Sequence, residues 1–155
     1  MEKSELAAEV EEKLGYRFRN PPLLKQALTH RSYANENGLT NGNETLALLG
    51  DAILQFFVTT RLYQAMPWER PGVLTEKRKL FVCEEVLSQK AKELNLGEAL
   101  LFGRGEKQQG GSLKPSHLSQ AFEALLGSIY LDGGLEEVVQ FLSNQFKAFN
   151  GGMTQ

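Results

Sequence analysis

The stretch NETLALLGDAILQFF, Asn43 to Phe57, decides the fold. Its apolar residues recur at three- and four-residue intervals over a long run, the period of a helix rather than a strand. Asn43 stands where an N-cap is wanted, and the apolar pattern continues to about Ala65. Within this helix Glu44, Ala47 and Asp51 are three and four residues apart, so they share a face. Gly50, beside Asp51, removes a side chain where a second helix or a phosphate backbone could come close.

Outward from this segment the helical period holds almost throughout. Leu6, Val10 and Leu14 predict a first helix closed by Gly15. Pro21 and Pro22 suit the first turn of a second, with Leu23, Leu24, Ala27 and Leu28 as its apolar side. The segment from Ser32 to Asn43 is rich in Asn and Gly and reads as a loop. Pro67 and Pro71 break the long helix, Thr75 is expected to cap the next, and that helix carries Leu80, Val86, Leu87, Ala91 and Leu94. A glycine-rich polar loop, GRGEKQQGGSLK, follows. Pro115 opens another helix to about Leu131, the DGG at 132–134 stops it, and a final amphipathic helix carries Leu135, Val138, Val139, Leu142 and Phe146. There is no strand alternation, no internal repeat and no linker. The expectation is an all-α domain over residues 1–150, with a frayed tail at 151–155.

Composition narrows the class. A chain of 155 residues with 41% apolar content is long enough to bury a core and is not of the disordered type. Its net charge of −2 counts against a dedicated basic nucleic-acid binder, though a local basic stripe is compatible with it. Cys83, without a second cysteine, cannot form an internal disulfide; it fits a reducing compartment and reads as a partly buried structural thiol. The N-terminus is acidic and amphipathic, unlike a signal peptide, and no apolar run is expected to span a membrane. A cytoplasmic location is the expectation. His30 and His117 lack Cys or His neighbours at ligand spacing, so zinc is not expected. Ser32 or Ser116 paired with a histidine has no supporting motif, and Trp68, between two prolines, reads as a packed loop anchor.

A second polar pair completes the candidate site. Gln120 and Glu123 are three apart on the helix opened by Pro115, with Gly127 one turn further on. Two otherwise apolar helices that each present polar side chains can converge on one cleft. Carboxylates there would hold a hard cation such as Mg²⁺, which can activate water and stabilise the leaving oxygen of a phosphodiester. On spacing alone the alternative stays open that Asp51 and Glu123 are solvated surface groups.

The segment NETLALLGDAIL closely resembles the ribonuclease III signature, usually close to N-E-R-L-E-F-L-G-D-A-V-L. The likeness extends to LGYRFRNPPLLKQALTHRSYANE near the N-terminus, to PGVLTEKRKLFVCEEVLSQKAKELNL in the middle, and to LFGRGEKQQGG followed by SHLSQAFEALLGSIYLDGG. It covers about residues 5 to 147. The resemblance implies an all-helical domain that pairs into a homodimer, whose two subunits form a valley for double-stranded RNA with a metal-dependent site at each end. It further implies four metal carboxylates, two from each motif. Carried over by position, these fall on Ala47, Asp51, Gln120 and Glu123, so two are kept and two are lost. Glu44 matches the family's Glu beside the leading Asn and would lie near the site.

Ala47 offers no donor atom, and Gln120 only a neutral carbonyl oxygen. Mg²⁺, or Mn²⁺, would therefore be weakly held and cleavage strongly impaired. Thr45 replaces the family's usual Arg, Pro71 its acidic residue before Gly72, and Leu48 the Phe that plugs into the partner subunit. Leu can still fill an apolar socket. The double-stranded-RNA-binding domain that usually follows the nuclease domain is missing from this sequence. RNA contact would then fall to the valley itself, with Arg104, Lys107 and Lys114 as candidates for phosphate binding. Three readings result: a homodimer that binds double-stranded or structured RNA with cleavage lost; an impaired but working endonuclease; and a protein-binding scaffold, for instance one that pairs with an intact relative.

Overall fold

The computed structural model describes residues 2–149. It is all-α: α1 (Lys3–Leu14), α2 (Pro21–Ala27), α3 (Arg31–Glu36), α4 (Glu44–Ala65), α5 (Pro71–Val82), α6 (Glu84–Glu93), α7 (Leu96–Ala99), α8 (Arg104–Gln108), α9 (Pro115–Gly133) and α10 (Leu135–Gln145). Short 3-10 turns at Gly111–Leu113 and Lys147–Phe149 complete it. Among the described residues there is no strand, only one isolated parallel bridge between Thr29 and Leu101. The tail expected at 151–155 lies outside the described residues.

Two helices form the axis of the molecule. α9 is the central one: Phe122, Leu125, Leu126 and Ile129 are fully buried, and α4, α6, α2 and α10 all pack on it. α4 contributes Leu46, Ile53, Leu54, Phe57, Val58 and Leu62 to the same core. The two touch backbone to backbone. A Cβ added to Gly50 would lie 1.7 Å from the carbonyl oxygen of Glu123, and one added to Gly127 2.3 Å from that of Leu46. Reciprocal glycines thus set how closely α4 and α9 cross. By length and composition α4 is also apolar enough to cross a membrane, contrary to the sequence expectation. Here its apolar inner face is packed in the core.

Boundaries expected from Gly and Pro were met. Gly15 adopts φ +67° behind α1, Pro21 and Pro115 open α2 and α9, and α9 runs two residues beyond Leu131 before Gly134 ends it. Asp132, from the DGG turn, accepts bonds from the Tyr16 hydroxyl at 2.6 Å and from the Arg19 and Asn20 amides. This ties the end of α9 to the α1–α2 connection.

Several expectations are corrected. The segment after His30 is not all loop: α3 forms there because the His30 ring accepts the Ser32 amide as an N-cap. The helix expected from Thr75 to Leu94 is two. It starts at Pro71, with the Thr75 hydroxyl bonded back to the Pro71 carbonyl, and breaks at Cys83, whose extended backbone starts α6. Cys83 itself is exposed rather than partly buried. The glycine-rich loop contains α8, whose first amide is accepted by the Glu36 carboxylate of α3 at 2.8 and 3.0 Å. Trp68 is 71% exposed, so it is no packed anchor; Leu80, at 71%, and Leu135 also lie outside the core.

Candidate functional site

The glycine crossing determines what meets at the α4–α9 junction. Asp51 follows Gly50 on α4, and Glu123 supplies the carbonyl that Gly50 admits. Their carboxyl groups are consequently brought together, as the sequence reading anticipated. Burial, the negative charge of Asp51 and a hydrogen bond to Asp51 push the Glu123 carboxyl up to about 7. Near neutral pH Glu123 therefore still holds its proton in part of the molecules. On its other side, Asp51 accepts from the Gln55 amide at 3.3 Å.

That shift has a measurable consequence. Below about pH 4.5 the Glu123 carboxyl is protonated in folded and unfolded chains alike, so it costs nothing. Between pH 4.5 and about 7 the unfolded chain loses this proton while the folded chain retains it, so its contribution to stability falls with rising pH. The loss is complete above the folded value. Denaturant melts across pH 4.5 to 8 are expected to show this decline, and Glu123→Gln is expected to flatten it. A slope unchanged in the variant would mean that other groups cause it.

The remaining candidate positions do not complete a cation site. Ala47 is buried, 8% exposed, and presents only a methyl group. The Gln120 amide nitrogen donates to Asn43 Oδ1 at 2.8 Å, and the Asn43 amide donates in turn to the Ala27 carbonyl at 3.1 Å. Asn43 thus occupies the N-cap position of α4, as expected, but its side chain makes no capping bond. Glu44 is exposed and lines a polar cleft with Arg31, Asn35, Asn41 and Thr45. Among the described residues no three acidic, His or Cys side chains are placed to hold one metal ion. The four-carboxylate cluster that the resemblance implies does not fit the residues present: one carboxyl pair remains of it.

The basic candidates lie on the α3–α8 side of the molecule. Arg104 and Lys107 are exposed and share a shallow cleft with Tyr33, Glu36 and Phe102. Lys114 is instead paired with Glu106, which holds the Glu106 carboxyl below its usual range. His30 and His117 pack against one another. Their rings lie 4.3 Å apart beside Phe102, and burial, then the neighbouring His117, lowers the His30 value. Ser32 does pair with His30, at 2.7 Å, but its hydroxyl also accepts the Gly103 amide, a bond that fastens the strand-like 101–103 segment to α3.

One feature escaped the sequence reading. Leu48 is 74% exposed, and Phe56 and Tyr63 are exposed at seven- and eight-residue intervals along the same side of α4. Beside them α5 has no buried residue and exposes Val73 and Leu80. Only Leu48 was singled out. The others were legible as an apolar stripe on the side of α4 opposite the core.

Comparison with known proteins matches this geometry. A family model described as Ribonuclease-III-like matches residues 20–148. Ribonuclease 3 of Bdellovibrio bacteriovorus is 44% identical over 138 residues, covering 88% of this chain and 59% of that protein. Ribonuclease 3 of Desulforamulus reducens is 46% identical over 143 residues, with 90% and 58% coverage. The chain thus spans less than two thirds of the length of these relatives. Among solved structures, the ribonuclease III nuclease domain of Campylobacter jejuni superposes with a TM-score of 0.85 at 34% identity, over 90% of this chain and 95% of that one. Dicer from Pichia stipitis shares the fold alone, at a TM-score of 0.62 and 22% identity.

Proposed function

The chain belongs to the ribonuclease-III-like family, and from that premise we propose that it is a dimeric, structured-RNA-binding member whose cleavage is lost or strongly impaired. One observation carries the proposal. Where the family pattern places four carboxylates, this chain has a single carboxyl pair, Asp51 and Glu123, beside a buried methyl group and an amide bonded elsewhere. A hard cation must be compensated for the water it sheds, and one carboxyl pair does that poorly. Mg²⁺ or Mn²⁺ would be held only weakly, by Asp51 and Glu123.

Double-stranded or structured RNA is the proposed ligand, with Arg104 and Lys107 as phosphate contacts and Lys114 a weaker one because Glu106 neutralises it. Gel retardation of a long RNA duplex tests this. Retardation that weakens with salt and falls severalfold in Arg104→Ala/Lys107→Ala supports the reading. Equal retardation of the variant would remove these residues from it. The proposed location is cytoplasmic.

The dimer is proposed to form across the α4–α5 face. Leu48, Phe56, Tyr63 and Leu80 present apolar surface there that a second protomer would cover. The Campylobacter structure is itself described with reference to a region involved in dimer formation. Leu48→Asp, an exposed change that costs a lone protomer little, is expected to convert the sedimenting species from dimer to monomer without unfolding it. An unchanged sedimentation coefficient would place the interface elsewhere.

An impaired endonuclease is the second reading, favoured by the retained contact of Asp51 with Glu123 and by exposed Glu44 near the α4 N-terminus. A scaffold that pairs with an intact relative would use the same α4–α5 face.

A further inference from the structure

We infer that Gln120 holds the α2–α4–α9 junction together through a hydrogen-bonded chain that a carboxylate at the same position could not make, so that the junction needs no divalent metal. The inference rests on the proposed loss of cleavage and concerns what the altered site does instead.

Asn43 is 1% exposed, and its amide nitrogen is committed to the Ala27 carbonyl at the end of α2, 3.1 Å away. That leaves Asn43 Oδ1, an acceptor only, turned toward α9. Position 120 must therefore present a donor, and the Gln120 amide does so at 2.8 Å. A carboxylate there would set oxygen against oxygen, which is tolerable only with a cation or water between them. Gln has the donor that the geometry requires, and Glu, its isostere, does not. The chain Gln120–Asn43–Ala27 links three helices, and its terminal carbonyl belongs to the last residue of α2, which has no helical partner. No described fully buried side-chain polar atom is left unpaired, so the Gln120–Asn43–Ala27 chain is complete without a cation. Gln120 is thus a positioning residue. It fixes where the first turn of α4, with Glu44 and Thr45, sits relative to α9.

Thermal melts of the full chain in EDTA and in Mg²⁺ provide the test, alongside Gln120→Glu, Gln120→Ala, Asn43→Ala and the Asn43→Ala/Gln120→Ala pair. The unmodified protein is expected to melt at the same temperature in both buffers. Gln120→Glu should lose several degrees in EDTA and recover part of that in Mg²⁺, a response that loss of packing alone would not produce. Gln120→Ala, which creates no repulsion, should lose less, and the Asn43 and Gln120 effects should be non-additive. A Gln120→Glu melt within a degree of the unmodified protein in EDTA would overturn the inference. So would a rise of several degrees in the unmodified protein on adding Mg²⁺. Neither result depends on RNA cleavage. Cleavage by the unmodified protein would overturn the proposed function while leaving the melts to judge Gln120.

Discussion

Incubated with long double-stranded RNA and Mg²⁺, the unmodified protein is expected to leave the duplex uncut, at a rate about a thousandfold or more below that of an Ala47→Glu/Gln120→Asp variant. Positioning and electrostatic stabilisation are lost together when two of four carboxylates go, and each contributes orders of magnitude. The structure explains why both substitutions are needed. Ala47 lies buried on the α4 face that carries Asp51, so a Glu there must turn toward the Asp51–Glu123 pair. An Asp at 120 must break from Asn43, and only a bound cation would compensate for the lost bond. Each single variant is therefore expected to remain near background. The check is a denaturing gel of the products in Mg²⁺ and in Mn²⁺, with Asp51→Asn as control. Cleavage by the unmodified protein that disappears in the control would refute the loss of activity. Products seen only with the double variant would support it.

The second large effect concerns folding. Gly50→Ala is expected to destabilise the protein by about 3 kcal/mol or more, or to prevent folding. The added Cβ would lie 1.7 Å from the Glu123 carbonyl oxygen and 2.6 Å from its carbon, and both are backbone atoms of a fully packed helix. No rotamer change can relieve that, so α4 and α9 must move apart along their contact. Gly127→Ala, against the Leu46 carbonyl at 2.3 Å, should behave similarly. Gly72→Ala is the contrast, since nothing lies within 4 Å of its added Cβ, and it should be neutral or mildly stabilising within α5. Urea denaturation of the three variants gives the comparison. A Gly50→Ala midpoint close to that of the parent would show that the crossing has slack.

These effects bear on how much was legible beforehand. The long helices could be read because their signals are local. Apolar spacing, Pro at the first turn and Gly after the last set α1, α2, α4, α9 and α10 within a few residues. The pairing of Asp51 with Glu123 was legible too, since Gly50 and Gly127 each mark one side of the contact. The short helices were not. α8 exists because Glu36, far away in sequence, accepts its first amide, and α3 because a histidine ring serves as its cap. Neither is a residue pattern. The same holds for Asn43, whose local signal as a cap is genuine but loses to a buried carbonyl that needed a donor. The break at Cys83 gave no warning because neither Gly nor Pro marks it.

The crossing of α4 and α9 also has a consequence during biosynthesis. α4 is complete about sixty residues before Glu123 is added, an interval of several seconds, on the order of ten at most, at ordinary translation rates. Throughout it, the apolar inner face of α4, with Leu46, Leu54, Phe57 and Leu62, lacks the helix it packs on. Completion of α9 buries that face and ends the interval.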